Sequence, residues 1–122
     1  GAVVSRRGGK RHAKRVERSA VPGASWDVNH EGGRTLIEGR PDGSEIVVLG
    51  YVERTEQPRF ARGERWRFRP VFDEGVYPVF HTFTLGAPSR RVAMRWLEAL
   101  VNDPSRCARI QNRFDETGEL LP

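Results

Sequence analysis

A mostly β, α+β fold is predicted, in which an antiparallel meander of short strands is closed by one C-terminal amphipathic helix and followed by a short helical tail. Three observations carry this. Thirteen glycines and eight prolines in 122 residues punctuate the chain more often than a helical bundle tolerates. Between them lie short apolar runs, several with a period of two. The period shifts to the helical one only after residue 88. The length suits one domain with one core, and three Trp and six Phe can fill it. The chain is read as a basic segment (1–22), a sheet with its main helix (23–103), and a short helix and tail (104–122).

The elements follow in order. In the first segment, Ala2–Ser5 and Ala13–Val21 either form strands joined at Gly8-Gly9 or belong to an unstructured arm. Pro22-Gly23 turns the chain into Ser25–His30, with Trp26 and Val28 on one face. Glu31-Gly32-Gly33 leads into Arg34–Glu38. Arg40-Pro41-Asp42-Gly43 is a turn, because Pro fixes φ and Gly accepts a positive one. Glu45–Arg54 holds Ile46, Val47, Val48, Leu49, Tyr51 and Val52, too continuous a run for a half-exposed strand, so it is read as central. Gln57–Gly63 is a loop. Arg65–Phe72 alternates, with Arg65, Arg67 and Arg69 on one face and Trp66 and Phe68 on the other. Asp73-Glu74-Gly75 turns again, and Val76–Leu85 is read as a further strand. Val92, Ala93, Trp96, Leu97, Leu100 and Val101 then recur at helical spacing behind Ser89, a good N-cap. Trp96 is expected to be the buried anchor of this helix, and Trp26 and Trp66 are also read as buried. Asn102-Asp103-Pro104 ends it and starts a second helix to Phe114.

Charge is distributed unevenly. The first 18 residues hold Arg6, Arg7, Lys10, Arg11, Lys14, Arg15 and Arg18 against Glu17 alone, a charge of +6; the rest has 14 basic and 15 acidic residues, a charge of −1, which gives the net +5. A near-neutral body with a basic leader suits a polyanion: anionic lipid headgroups, an acidic protein, or nucleic acid. The same leader matches a nuclear-import patch, a pattern with many false positives, or a solubilising tail. A secondary basic face consists of Arg59, Arg62, Arg65, Arg67 and Arg69, against which stands the plainer reading of a solvated strand face paired to Glu53, Glu56 and Glu64. Arg outnumbers Lys nineteen to two. Its fork suits phosphate and carboxylate, although a GC-rich genome explains the bias equally well.

Nothing in the sequence points to catalysis, a metal or a cofactor. There is no Gly-x-Ser-x-Gly elbow and no Gly-rich phosphate loop, and His12, His30 and His81 are scattered. No Cys/His/Asp cluster has metal spacing. Cys107 lies between Arg106 and Arg109, which can lower a thiol pKa, but a small buried hydrophobe on a short helix is the favoured reading. No apolar run approaches the roughly 18 residues of a membrane span, so an intracellular protein, cytoplasmic, membrane-peripheral or nuclear, is expected.

The stretch His81-Thr82-Phe83-Thr84-Leu85, followed by Gly86-Ala87-Pro88-Ser89 and then Trp96-Leu97 and Ala99-Leu100, resembles the end of a pleckstrin-homology domain. The specific part covers about residues 81–101. The resemblance implies a barrel of up to seven strands plugged by a helical Trp. It also implies a first hairpin whose basic residues, here Arg6, Arg7, Lys10, Arg11, Lys14 and Arg15, grip headgroup phosphates. The aromatic cluster usual in the family's second strand is missing from Ala13–Val21. Three readings follow: a non-enzymatic binding module for an anionic surface; a nucleic-acid-binding protein, comparable to small three-strand-plus-helix DNA-binding domains, that uses the leader and the Arg face; and a scaffold subunit of a larger particle.

Overall fold

A computed structural model of the chain describes residues 3–4, 16–29, 31–39, 45–55 and 65–120. Its elements are β1 (Val3–Val4), β2 (Val16–Arg18), β3 (Ala24–Val28), β4 (Arg34–Gly39), β5 (Ile46–Arg54), β6 (Trp66–Pro70), α1 (Val79–Thr82), β7 (Leu85–Ala87), α2 (Arg90–Asn102) and α3 (Pro104–Thr117). The fold is α+β. β2 to β7 form an antiparallel meander in chain order, and β1 lies beside β5. The sheet is not a closed barrel: its path begins at β2 and ends at β7. β1 and β2 take different partners, with Val3 opposite Val47 of β5 and Glu17 opposite Trp26 of β3. The turns read at Arg40–Gly43 and Gln57–Gly63 lie outside the described residues.

β5 is the central strand, as its apolar run predicts. β4 runs along one side, and β1 and β6 share the other. A bulge explains why that run does not alternate. Leu36 faces Gly50 but Ile37 faces Val48, so Leu49 is the extra residue. Leu49 therefore packs with the main core, while Val48 and Ile46 join Ile37 in a smaller cluster on the other face, with Tyr51 and Val71 against it.

The main core lies between the sheet and the helices. Trp26, Leu36, Val52 and Phe68 meet Ala93, Leu97 and Leu100 of α2, and Val79 and Phe80 of α1. Gly50 permits the closest approach: a Cβ there would stand 2.6 Å from Leu97 Cδ2 and 3.0 Å from the Arg69 carbonyl oxygen. Both long helices are capped where the sequence predicts. Ser89 Oγ accepts from the Val92 amide at 3.2 Å, and the Asp103 carboxylate accepts from Arg106, with Pro104 in the first turn of α3. The Ser105 hydroxyl, foremost, holds the Asp103 carboxyl below the usual range. Ser89→Ala is expected to cost about 1 kcal/mol, readable as a shift in the thermal midpoint, because one amide of the first turn loses its acceptor.

Two expectations are corrected. Val76–Leu85 is not one strand. Gly75, at φ +86°, ends a turn; Tyr77 sits at φ 47°; and Pro78, in the right-handed helical region, starts the single turn α1. The side chain of Gln111 in α3 fixes that turn by accepting from the Val79 amide at 2.8 Å. Successive residues Val79 and Phe80 are both buried, which a strand with one covered face does not allow. Extended structure resumes only in β7. Nor is Trp96 the buried anchor: it is 48% exposed. The apolar stripe of α2, from Val92 to Val101, spans roughly half the helix circumference, and a flat sheet covers only its middle. Ala93, Leu97 and Leu100 occupy that middle. Trp96 falls to one side and touches Phe68 edge-on, with centroids 6.1 Å apart. Trp66 is half-buried, and Trp26, 1% exposed, is the tryptophan the core encloses.

Candidate functional site

The face of the sheet turned away from the helices is the surface on which the sequence-predicted basic residues meet. Residues directly opposite in an antiparallel pair share a face, so the register reads out this surface row by row. One row runs Gly86, Arg67, Glu53. The next runs Arg69, Tyr51, Thr35, Asp27, Val16. Arg18 lies beyond, opposite Ser25. Adjacent strands stand about 4.8 Å apart, so Arg69, Tyr51 and Thr35 span roughly 10 Å. No described helix residue packs with the small cluster on this face.

Two arginines are held in fixed poses. Arg69 lies over the Tyr51 ring, its guanidinium carbon 5.1 Å from the centroid. Arg67 Nη2 approaches Glu53 Oε1 at 3.4 Å, in a pair whose side chains are 36% and 53% exposed. An exposed pair of this kind is worth little, about 0–1 kcal/mol, so an incoming anion displaces Glu53 at small cost. Arg67 Nε is buried and makes no hydrogen bond. Arg67 also lines a polar cleft of about 510 Å³ with Asn29, Glu31, Gly33, Glu53 and Arg54. The β3–β4 turn gives that cleft a firm wall. Asn29 Oδ1 accepts from the amides of Glu31 and Gly33, at 3.1 and 2.9 Å. Behind the turn Arg34, 6% exposed, donates to the carbonyls of Gly32 and Gly33, at 2.6 and 3.1 Å, and to both carboxylate oxygens of Glu17.

The structure therefore brings Arg67, Arg69 and the exposed Arg65 to one side of β6, with Arg18 of β2 on the same face. Arg6, Arg7, Lys10, Arg11, Lys14, Arg15, Arg59 and Arg62 lie outside the described residues. Tyr51, Asn29 and Arg54 complete the site and escape the sequence reading, whereas Glu53, an acid partner the sequence offers for the Arg face, does pair with Arg67. Alternation along β5 carried the signal for Tyr51, but its pairing to Arg69 depends on the register between β5 and β6, which no local pattern states.

Other candidate chemistry is thin. Cys107 is fully buried, its thiol donating to the Leu100 carbonyl, and burial, aided by Asp103, pushes its pKa up to about 11. That places it with inert structural cysteines. Among the described residues no His/Cys/Asp/Glu group is arranged to hold a metal, and no helix is long and apolar enough to cross a membrane. Comparison of the chain with protein-family models, curated proteins and solved structures gave no match.

Proposed function

We propose that this protein is a non-enzymatic binding module for double-stranded nucleic acid, which lays the Arg67–Arg69 face of its sheet against the duplex while the basic leader tracks the phosphates. The observation that carries the reading is the pair of arginines at alternate positions of β6, on the sheet face turned away from the helices and beside the polar cleft that Arg67 lines. Arg supplies a planar fork that suits phosphate and guanine edges. A duplex fits better than a single strand, because single-strand binders stack bases on open rings and Arg69 already covers the Tyr51 ring.

A pleckstrin-homology-like site for anionic headgroups is the second reading. The entry of β7 through Pro88-Ser89 into the capped α2 favours it. Against it stand the open sheet, the separate partners of β1 and β2, and a Trp96 that plugs nothing.

Arg67→Glu separates the two. Duplex affinity, measured by anisotropy at fixed salt, is expected to fall by about 1–3 kcal/mol, while binding to phosphoinositide-containing vesicles is unchanged. Vesicle binding that needs Arg67, with no duplex binding by the parent protein, overturns the proposal. The leader is tested by substitution, since deletion would strip β1 and β2 from the sheet. Replacing Arg6, Arg7, Lys10, Arg11, Lys14 and Arg15 by Gln is expected to flatten the plot of log affinity against log salt, by about 0.9 in slope for each phosphate no longer neutralised. An unchanged slope would make the leader a solubiliser only.

A further inference from the structure

Among the described residues, one face of α2 is covered only in part, with Phe68 touching Trp96 and the edge of the core reaching Val92, and its residues differ in kind from the sheet face. Val92, Trp96 and Ala99 recur at i, i+4 and i+7, so they form a strip along the helix. Trp96 is about half exposed, and Val92 and Ala99 are half-buried. Beside this strip run Arg91 and Arg95, both exposed and neither paired among the described residues. Glu98, the only acid on α2, offers them nothing. Its Oε2 is turned inward, accepting from Trp26 Nε1 at 2.7 Å and from the Ala20 amide at 3.0 Å. Among the described residues, α2 thus shows solvent a part-exposed apolar strip centred on a tryptophan, with Arg91 and Arg95 beside it and the Oε2 of Glu98 engaged elsewhere.

We propose that this face docks an acidic amphipathic segment of another protein, whose apolar anchors pack on Val92, Trp96 and Ala99 while its Asp or Glu residues meet Arg91 and Arg95. Tryptophan is enriched among residues that dominate binding energy, and flanking charges set orientation and encounter rate. Anchors three or four apart on a partner helix match the spacing of the strip. Charge weighs against the simplest alternative occupant: a second copy docked antiparallel about a two-fold axis would bring the Arg91–Arg95 margins of the two helices together, and like charges so placed repel. A nucleic acid suits the positive margin but has no use for the aliphatic positions at either end of the strip. The site is separate from the sheet face and does not rest on the duplex reading.

The test is a selection of helical peptides displayed on phage, panned on the wild-type protein, followed by anisotropy with the enriched peptide. The expected consensus places two or more Asp or Glu beside apolar residues spaced three or four apart. Trp96→Ser is expected to weaken that peptide more than tenfold, and Arg91→Glu with Arg95→Glu to do the same with an unchanged thermal midpoint. The double arginine variant decides the matter if Trp96→Ser does not fold. Arg67→Glu is expected to leave peptide affinity within about twofold, so failure here and failure of the duplex reading are distinguishable. A selection that yields no Trp96-dependent peptide, or a consensus without acids, overturns the proposal. So does a dimer in sedimentation, or duplex binding by the parent, that Trp96→Ser abolishes.

Discussion

Trp26→Ala is expected to remove about 3–5 kcal/mol of stability, the range for truncating a large enclosed aromatic. Two terms combine. The ring is 1% exposed and packs with Leu36, Val52 and Leu97, so its loss opens a cavity that the sheet and α2 cannot both collapse into. Its indole N–H also donates to Glu98 at 2.7 Å. That carboxylate gathers the Ala20 amide as well, and Asn102 Nδ2 donates to the Ala20 carbonyl, so α2 is pinned to the segment between β2 and β3 through this corner. Trp26→Phe keeps most of the apolar bulk and strips the donor, and should cost about 1–2 kcal/mol. The check is the urea midpoint at constant slope. A Trp26→Ala shift worth under about 1 kcal/mol would contradict the core described above. Trp96→Ser is expected to be the milder change, the reverse of what the sequence alone suggests.

That reversal shows where sequence reasoning stops. Helix α2, its Ser89 cap, the Asp103–Pro104 restart and the alternation of β6 all depend on contacts within a few residues, and all are legible. The choice between Trp26 and Trp96 is not local. Both stand in apolar patterns, and only the angle at which α2 meets the sheet decides that Leu97 points at Gly50 and Trp96 to the side. Val76–Leu85 misleads for a similar reason. Val79, His81 and Phe83 alternate as a strand would, but Gln111, 32 residues downstream of Val79, supplies the bond that holds the helical turn. On the sheet face Arg65 and the two arginines of β6 show themselves by their period of two, and Glu53 as an acid partner is legible with them. Tyr51 under Arg69 is not, because a bulge at Leu49 reassigns the faces of β5.

Arg34 is the residue least visible in the sequence, and its replacement carries the second large expected effect. A charged side chain is seldom buried unless paired and hydrogen-bonded. Arg34 meets that condition in full: the carbonyls of Gly32 and Gly33 accept from one nitrogen, and the Glu17 carboxylate takes the other two. It therefore joins edge strand β2 to the turn that walls the cleft. Arg34→Met fills similar volume but leaves those carbonyls without their donor. Glu17, 41% exposed on its side chain, recovers part of its hydration, so the cost should fall below that of breaking a fully buried pair, at about 2–4 kcal/mol. Arg34→Lys should recover only part of this, since one ammonium cannot reproduce the fork. The loss should be uneven. Amide exchange is expected to quicken first in Val16–Arg18, whose strand partner among the described residues is β3, at three positions. Uniform acceleration across β3 to β6 would show instead that Arg34 supports the whole core rather than the edge. In duplex binding, Arg34→Met should act through β2 and the leader that precedes it, lowering the salt slope while leaving the contribution of Arg67 intact.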